Sequence, residues 1–198
     1  MIINDGSTDK TESIVRDLMK RFKQVKLVNH KKNAGLGAAL RTGFKEAKGI
    51  AIVTMDADLT HPPEMIKDLI KGLEDTDVCL ASRYVGKGGM KNVPFWRVLI
   101  SKIANTSFGI MYGTKIKDIS SGFKAYRSEK IKKINSKAKD FSIQIEIMAH
   151  LIKNKTKFKE IPFILVDRKI GVSKFRFFHM IPKYFVSVWK YFFFRWFG

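Results

Sequence analysis

Short apolar runs alternate with amphipathic stretches over the first two-thirds of the chain, the pattern of an α/β fold. Ile2 and Ile3 open as a strand, and residues 4–9 then collect turn-forming and helix-capping side chains. Asp9 and Glu12 have capping-box spacing, and Ile14, Leu18 and Phe22 fall on one face of the helix that follows. Residues 25–28 read as a strand, and residues 33–37 as a turn opening a helix through Ala38, Leu40 and Phe44. Residues 50–55 form a continuous apolar run, as expected of a strand buried on both faces. Pro62 and Pro63 suit a helix start, and Val78–Ser82 is a further strand.

The middle of the chain is less regular. Residues 86–90 are glycine-rich and read as a mobile loop, and residues 93–111 as a helix with Arg97 and Ser101 one turn apart. Residues 118–126 form a turn leading into a short strand, residues 142–153 a helix, and residues 161–166 a strand. No internal repeat and no dividing linker is evident. In open parallel sheets ligands bind beyond the carboxyl ends of the strands. The acidic clusters at residues 4–9 and 56–58 both follow predicted strands, so they are expected at one cleft.

The 198 residues make room for one domain with a real core. With 45% apolar and 28% charged residues, the chain is neither a disordered tail nor a multispan membrane protein. A single cysteine, Cys79, excludes an intrachain disulfide and with it a secreted disulfide scaffold. Lys and Arg number 38 against 18 acidic residues, a formal +20, which points to polyanionic partners. Residues 115–198 hold 20 of those cations and only 6 acids, and 12 of the 24 aromatic residues lie in 175–198.

That clustering at one end suits a membrane better than nucleic acid, for which no motif is present. Residues 175–197 read as amphipathic helices broken near Pro182, with Lys183, Ser187 and Lys190 as a narrow polar stripe. An interfacial anchor is the expected role; a core-docking helix and the stub of a transmembrane tail are the alternatives. No basic region or apolar run marks a signal peptide at Met1, so the expected location is the cytoplasmic side of the membrane, peripheral unless a transmembrane tail follows.

Asp56-Ala57-Asp58 is the most informative stretch. Two carboxylates one residue apart, on a turn after a buried strand, can converge on a hard divalent cation that takes the rest of its shell from water and substrate phosphates. The plain alternative is a helix cap followed by a solvated acid. Residues 4–9 can present a carboxylate and backbone groups to a base or ribose, or can simply form a Gly-Ser turn. Asn33-Ala-Gly-Leu-Gly is only loosely like a phosphate loop and is read as a helix-opening turn.

The motifs occur in one order. Asn4-Asp-Gly-Ser-Thr-Asp-Lys-Thr is followed by Asn33-x-Gly-x-Gly-x-Ala, Asp56-Ala-Asp-Leu-Thr-His-Pro-Pro-Glu and Ser82-Arg83-Tyr84. Asp118-x-x-Ser-Gly-Phe-Lys and Arg168-x-x-Gly-x-Ser-Lys complete the series. It resembles the family 2 glycosyltransferases of GT-A fold, and within them the dolichol-phosphate mannose synthase-like, polyprenyl-phosphate glycosyltransferase branch. The resemblance covers residues 1 to about 175.

It implies a Rossmann-like α/β fold with a mixed, mostly parallel sheet flanked by helices. Residues 1–174 would form the catalytic domain and residues 175–198 the amphipathic interface segment. The implied reaction is inverting transfer of a hexose, mannose first, from a nucleotide-diphosphate sugar (GDP-mannose or UDP-glucose) to a polyprenyl phosphate. The cofactor would be Mg²⁺ or Mn²⁺, and the partners a membrane surface and a membrane protein seated there. A polysaccharide or glycolipid acceptor, and an inactive fragment, are the alternatives.

By matching motif, Asp5 would contact the base or ribose, and Asp56 and Asp58 would hold the metal against the donor diphosphate. Arg83, Arg97, Ser101 and Ser173 would bind the acceptor phosphate, with Arg168 and Lys174 on the donor. Asp58, Arg83 and Arg97 would carry catalysis. Many relatives have Gln where this chain has Thr60, which makes Thr60 the candidate third metal ligand, through its hydroxyl or a water. Asp is common in the family where this chain has Asn4, and family members usually begin with one more strand and helix, so the sheet is expected to be incomplete at its N-terminal side.

Overall fold

In the computed structural model, which describes residues 1–167, the strand Val78–Ser82 is buried along its whole length and organises the rest. In chain order the elements are β1 Ile2–Asn4, α1 Thr11–Arg21, β2 Leu27–Asn29, α2 Leu36–Glu46 and β3 Ala51–Thr54. A 3-10 turn, Pro63–Met65, leads into α3 Ile66–Lys71; then come β4 Val78–Ser82, β5 Gly89–Lys91 and α4 Phe95–Tyr112. The described residues end with β6 Lys124–Arg127, α5 Ser128–Ile131, α6 Ile143–Lys153, β7 Phe158–Pro162 and β8 Ile164–Val166. Arg168, Ser173, Lys174 and the 175–198 segment lie outside the described residues.

The main sheet has the order β3-β6-β4-β7. β6 runs antiparallel to both β3 and β4, while β4 and β7 are parallel. The expected mixed sheet is therefore present, and β1 with β2 and β5 with β8 form two parallel pairs beside it. Because β3 and β4 both oppose β6, they run in the same direction. Thr54 and Ser82 consequently end on the same side, on either flank of the residues that lead into β6.

Side chains of β4 alternate between two clusters, as the period of a strand requires. Val78 and Leu80 join Ile52, Tyr126, Phe108, Tyr112 and the inner face of α6. Cys79 and Ala81 face the other way, onto Leu69, Leu73, Phe123 and Phe163. Helices thus cover both faces, and burial pushes the Cys79 thiol up to about 11, which leaves it a small apolar core residue.

Five sequence expectations change, the first at residues 50–55, where β3 lies at the edge of the main sheet, only Ile52 is buried and Ile50 is 93% exposed. The inner face of α1 is centred on Val15, whereas Ile14 and Phe22 are exposed. The capping box does not form, because Asp9 accepts from the Thr11 amide and hydroxyl while Glu12 pairs with Arg16 at 2.7 Å. Residues 86–90, read as a mobile loop, contribute β5, which pairs with β8. Residues 161–166 are not one strand: the chain turns at buried Phe163, whose amide donates to the Ser82 carbonyl at 3.0 Å, and separates β7 from β8.

Candidate functional site

Beyond β3 the chain turns sharply through Asp56-Ala57-Asp58. The Asp56 amide donates to His61 Nδ1 at 2.9 Å. His61 is buried, stacked on Phe123 with ring centroids 4.9 Å apart and edge-on to Phe163 at 5.8 Å. Burial lowers its pKa against the pull of Asp56 and Asp58. A ring that accepts at Nδ1 and titrates low is neutral, so His61 serves as a fixed backbone acceptor.

Asp58 Oδ1 accepts from the Thr60 amide at 3.1 Å and from the Thr60 hydroxyl at 2.6 Å. Thr60 therefore orients Asp58 through its amide and its hydroxyl proton. Leu59, between them, takes a left-handed φ of 63° and is 84% exposed. That conformation is rare for a leucine and marks a backbone held by its neighbours.

Across from this turn, at the end of β4, Arg83 forms a fork on Asp118. Its Nε donates to Oδ2 at 2.8 Å, its Nη2 to Oδ1 at 2.6 Å, and its backbone amide to Oδ2 at 2.9 Å. Nη2 also donates to the Ser120 hydroxyl at 2.9 Å. Asp118 is fully buried, and its own amide is taken by Glu160 of β7 at 3.1 Å. Asn105 of α4 bridges to the same turn, exchanging bonds of 3.0 Å each with the Ser120 hydroxyl and amide.

Ser101 is joined to this network through the Tyr84 hydroxyl at 2.7 Å. Arg97, one turn earlier on α4, lies exposed with its guanidinium over the Trp96 ring at 5.2 Å. Of the four residues expected at an acceptor phosphate, the structure brings Arg83 and Ser101 together and leaves Arg97 exposed, while Ser173 lies outside the described residues.

Residues 118–122 connect the two halves. The Thr54 hydroxyl donates to the Gly122 carbonyl at 2.8 Å. A Cβ on Gly122 would lie 3.6 Å from His61 Cε1 and 3.9 Å from Asp56 Oδ1, so the turn rests directly against the Asp-x-Asp segment. Lys124, just beyond it, is fully buried. Its Nζ donates to the carbonyls of Ile119 (3.3 Å) and Ser121, and to Gln144 Oε1 of α6 at 3.0 Å. Burial brings its pKa down to about 7, and Asp118 and Asp56 pull it back. Three acceptors use all three donors of an ammonium.

Asp5 sits against the turn that opens α2. Its Oδ1 accepts from His30 Nδ1 at 2.6 Å and from the Ala34 amide at 3.0 Å, and its Oδ2 from the Gly35 amide at 2.8 Å. The carboxylate thus braces the turn that opens α2. Gly35 and Gly37 are required there for a steric reason. A Cβ would fall 2.2 Å from the Lys139 carbonyl oxygen or 2.0 Å from that of Ala138. Glu146 holds this 138–139 backbone in place through the Lys137 and Ala138 amides at 3.1 and 3.0 Å. Asn4 ties β1 to β2 through Asn29 at 2.9 Å.

Asp118, Ser120, Lys124 and Gln144 were given no role by sequence reasoning. Asp118 and Lys124 are named positions of the Asp118-x-x-Ser-Gly-Phe-Lys series, which was the available signal; nothing local marked Ser120 or Gln144.

Comparison with known proteins decides the family. The model of Glycosyl transferase family 2 matches residues 1–135. The chain belongs to this family. It is 40% identical over 185 residues to a dolichol-phosphate mannosyltransferase of Pyrococcus furiosus, a match covering 89% of the chain and 50% of that protein. To a polyprenol monophosphomannose synthase of Mycolicibacterium smegmatis it is 35% identical over 182 residues, 88% of the chain and 69% of that protein. The chain thus spans half the length of the first relative.

Among solved structures, a Mycobacterium tuberculosis glucosyl-3-phosphoglycerate synthase in complex with Mn²⁺ and UDP-glucose superposes with a TM-score of 0.69 at 16% identity. That match covers 98% of this chain and 67% of the other, and it shows that the two share a fold.

Proposed function

We propose that the chain transfers mannose from a nucleotide-diphosphate sugar to a polyprenyl phosphate at the cytoplasmic face of a membrane, with Mg²⁺ or Mn²⁺. One observation carries the reading: an Asp-x-Asp turn and a forked arginine–aspartate pair flank one shared turn, beyond the parallel ends of β3 and β4. The names of the two curated relatives, a dolichol-phosphate mannosyltransferase and a polyprenol monophosphomannose synthase, support the donor sugar and the acceptor class.

The donor set fits a hard cation. Asp56 and Asp58 offer carboxylate oxygens, and Thr60 orients one of them. Among the described residues no three Asp, Glu, His or Cys side chains converge, so phosphate oxygens and water would complete the shell. When bound, the ion supplies positive charge to the departing nucleotide diphosphate. A polyprenyl phosphate is already an anion at neutral pH, so the protein's task is placement and charge rather than proton removal. Arg83, oriented by Asp118, would supply positive charge to that phosphate.

Helix α4 supports a membrane-surface location. Phe95, Trp96, Leu99, Ile103 and Ile110 are all exposed along it, with Arg97 and Lys102 among them. Apolar side chains flanked by cations suit an interface with anionic headgroups.

Calorimetry with GDP-mannose and UDP-glucose, with and without Mn²⁺, tests the donor half. Metal-dependent binding of GDP-mannose that is lost in Asp58→Asn is expected. Equal binding by the variant, or binding indifferent to metal, would contradict it.

A further inference from the structure

Two charged arms of the site meet at residues 118–122, and the group that fixes this turn is buried beneath it. Thr54 holds the turn from β3, and Gly122 lies against Asp56. Asp118 and Ser120, at its other end, hold Arg83. Between these contacts, the carbonyls of Ile119 and Ser121 both point to a single donor, the Lys124 ammonium, which α6 secures through Gln144.

We propose that Lys124 is a positioning residue for sugar transfer: by gathering the Ile119 and Ser121 carbonyls onto Gln144 it fixes the turn that sets Arg83 relative to Asp56. It touches no reactant and acts only through the turn.

A buried cation is costly to place, and an apolar side chain of similar length would fill the space without that cost. Two observations explain a lysine here. The inward carbonyls of a tight turn have no strand partner and need donors where water is excluded. The ammonium also lies near Asp118 and Asp56, whose charges offset its burial. Without it, the turn loses its inner attachment while Asp118, anchored by Glu160, keeps its own. The two arms would then shift relative to each other. Misplacement of reacting groups by about 1 Å costs roughly a hundredfold in rate.

The proposal rests on the transfer reading, so the test has one arm that needs no turnover. The full chain is compared with Lys124→Met, Gln144→Met and the conservative Gln144→Glu, which keeps an acceptor for Lys124. Amide hydrogen exchange is followed at residues 119–123 without substrate. Calorimetry gives the affinity for Mn²⁺ and nucleotide diphosphate, and initial rates are taken at saturating donor with a short-chain isoprenyl phosphate.

Faster exchange confined to residues 119–123 is expected in both Met variants, with kcat down about thirty- to a hundredfold. Donor affinity should stay within about threefold, and Gln144→Glu should stay close to the parent. Exchange and kcat both at parental levels in a folded Met variant would overturn the proposal. So would a lowered melting temperature with undiminished kcat in the folded fraction, or faster exchange spread evenly over the chain. If Lys124→Met does not fold, Gln144→Met decides by the same readings. If the parent chain transfers no sugar to any isoprenyl phosphate, the transfer reading fails, and exchange at 119–123 alone supports or overturns the role of Lys124.

Discussion

Arg83 and Asp118 are joined by three hydrogen bonds of 2.6 to 2.9 Å, two from the guanidinium and one from the backbone amide of the same arginine. The aspartate is fully buried and the arginine side chain is 14% exposed. Removing one partner of such a pair leaves a charge with little water to receive it. Asp118→Asn should therefore lower the unfolding free energy by about 3–5 kcal/mol. Denaturant unfolding checks this, and a loss below 1 kcal/mol would show that Arg83 finds solvent instead. Arg83→Lys should not rescue the site, because an ammonium cannot reproduce the fork.

His61 fixes Asp56 through a backbone bond rather than through charge. His61→Phe keeps a ring stacked on Phe123 but leaves the Asp56 amide without its acceptor. A loss of about 1–3 kcal/mol is expected, together with weaker Mn²⁺ binding. Unchanged metal affinity in a folded variant would show that the bond does not position Asp56.

Asp5 carries a pH signature. Burial alone would raise its pKa, but bonds from His30, Ala34 and Gly35 outweigh burial and hold it below the ordinary aspartate value of 3.8. The unfolded state then binds more protons, so the stabilisation is complete above 3.8 and is lost as pH falls through the lower folded value. Asp5→Asn should be less stable than the parent at neutral pH, and the gap should close under acid. A gap independent of pH would show that the carboxylate charge does not contribute.

Gly37→Ala tests why the second glycine is there. Its Cβ would meet the Ala138 carbonyl oxygen, a backbone atom held by Arg41 at 2.5 Å. Destabilisation of about 1–3 kcal/mol is expected, from backbone displacement. A neutral substitution would mean that the 138–139 backbone yields freely.

Much of the fold was legible because periodicity is local. The strand Val78–Ser82 kept the bounds its apolar run announced, and α4 kept Arg97 and Ser101 one turn apart. Helix α1 was misjudged by one position, since Ile14 and Val15 are both apolar and only packing decides which is buried. The site was legible as motifs but not as partners. Arg83 lies 35 residues from Asp118, and only the antiparallel entry of β6 between β3 and β4 brings the two together. In the same way, the turn that Asp5 holds, 30 residues away, is invisible in local spacing.

The central claim is that the Asp56–Asp58 turn and the Arg83 arm together serve transfer of mannose to a lipid phosphate. The most direct test is the initial rate of labelled mannose transfer from GDP-mannose to an isoprenyl phosphate in the presence of Mn²⁺, for the parent chain and Asp58→Asn. Mannosyl phosphate product from the parent, with a rate lower by roughly a hundred- to a thousandfold in the variant, is the predicted result. Transfer by the variant at the parental rate, or no transfer by a parent chain that binds GDP-mannose, would contradict the account.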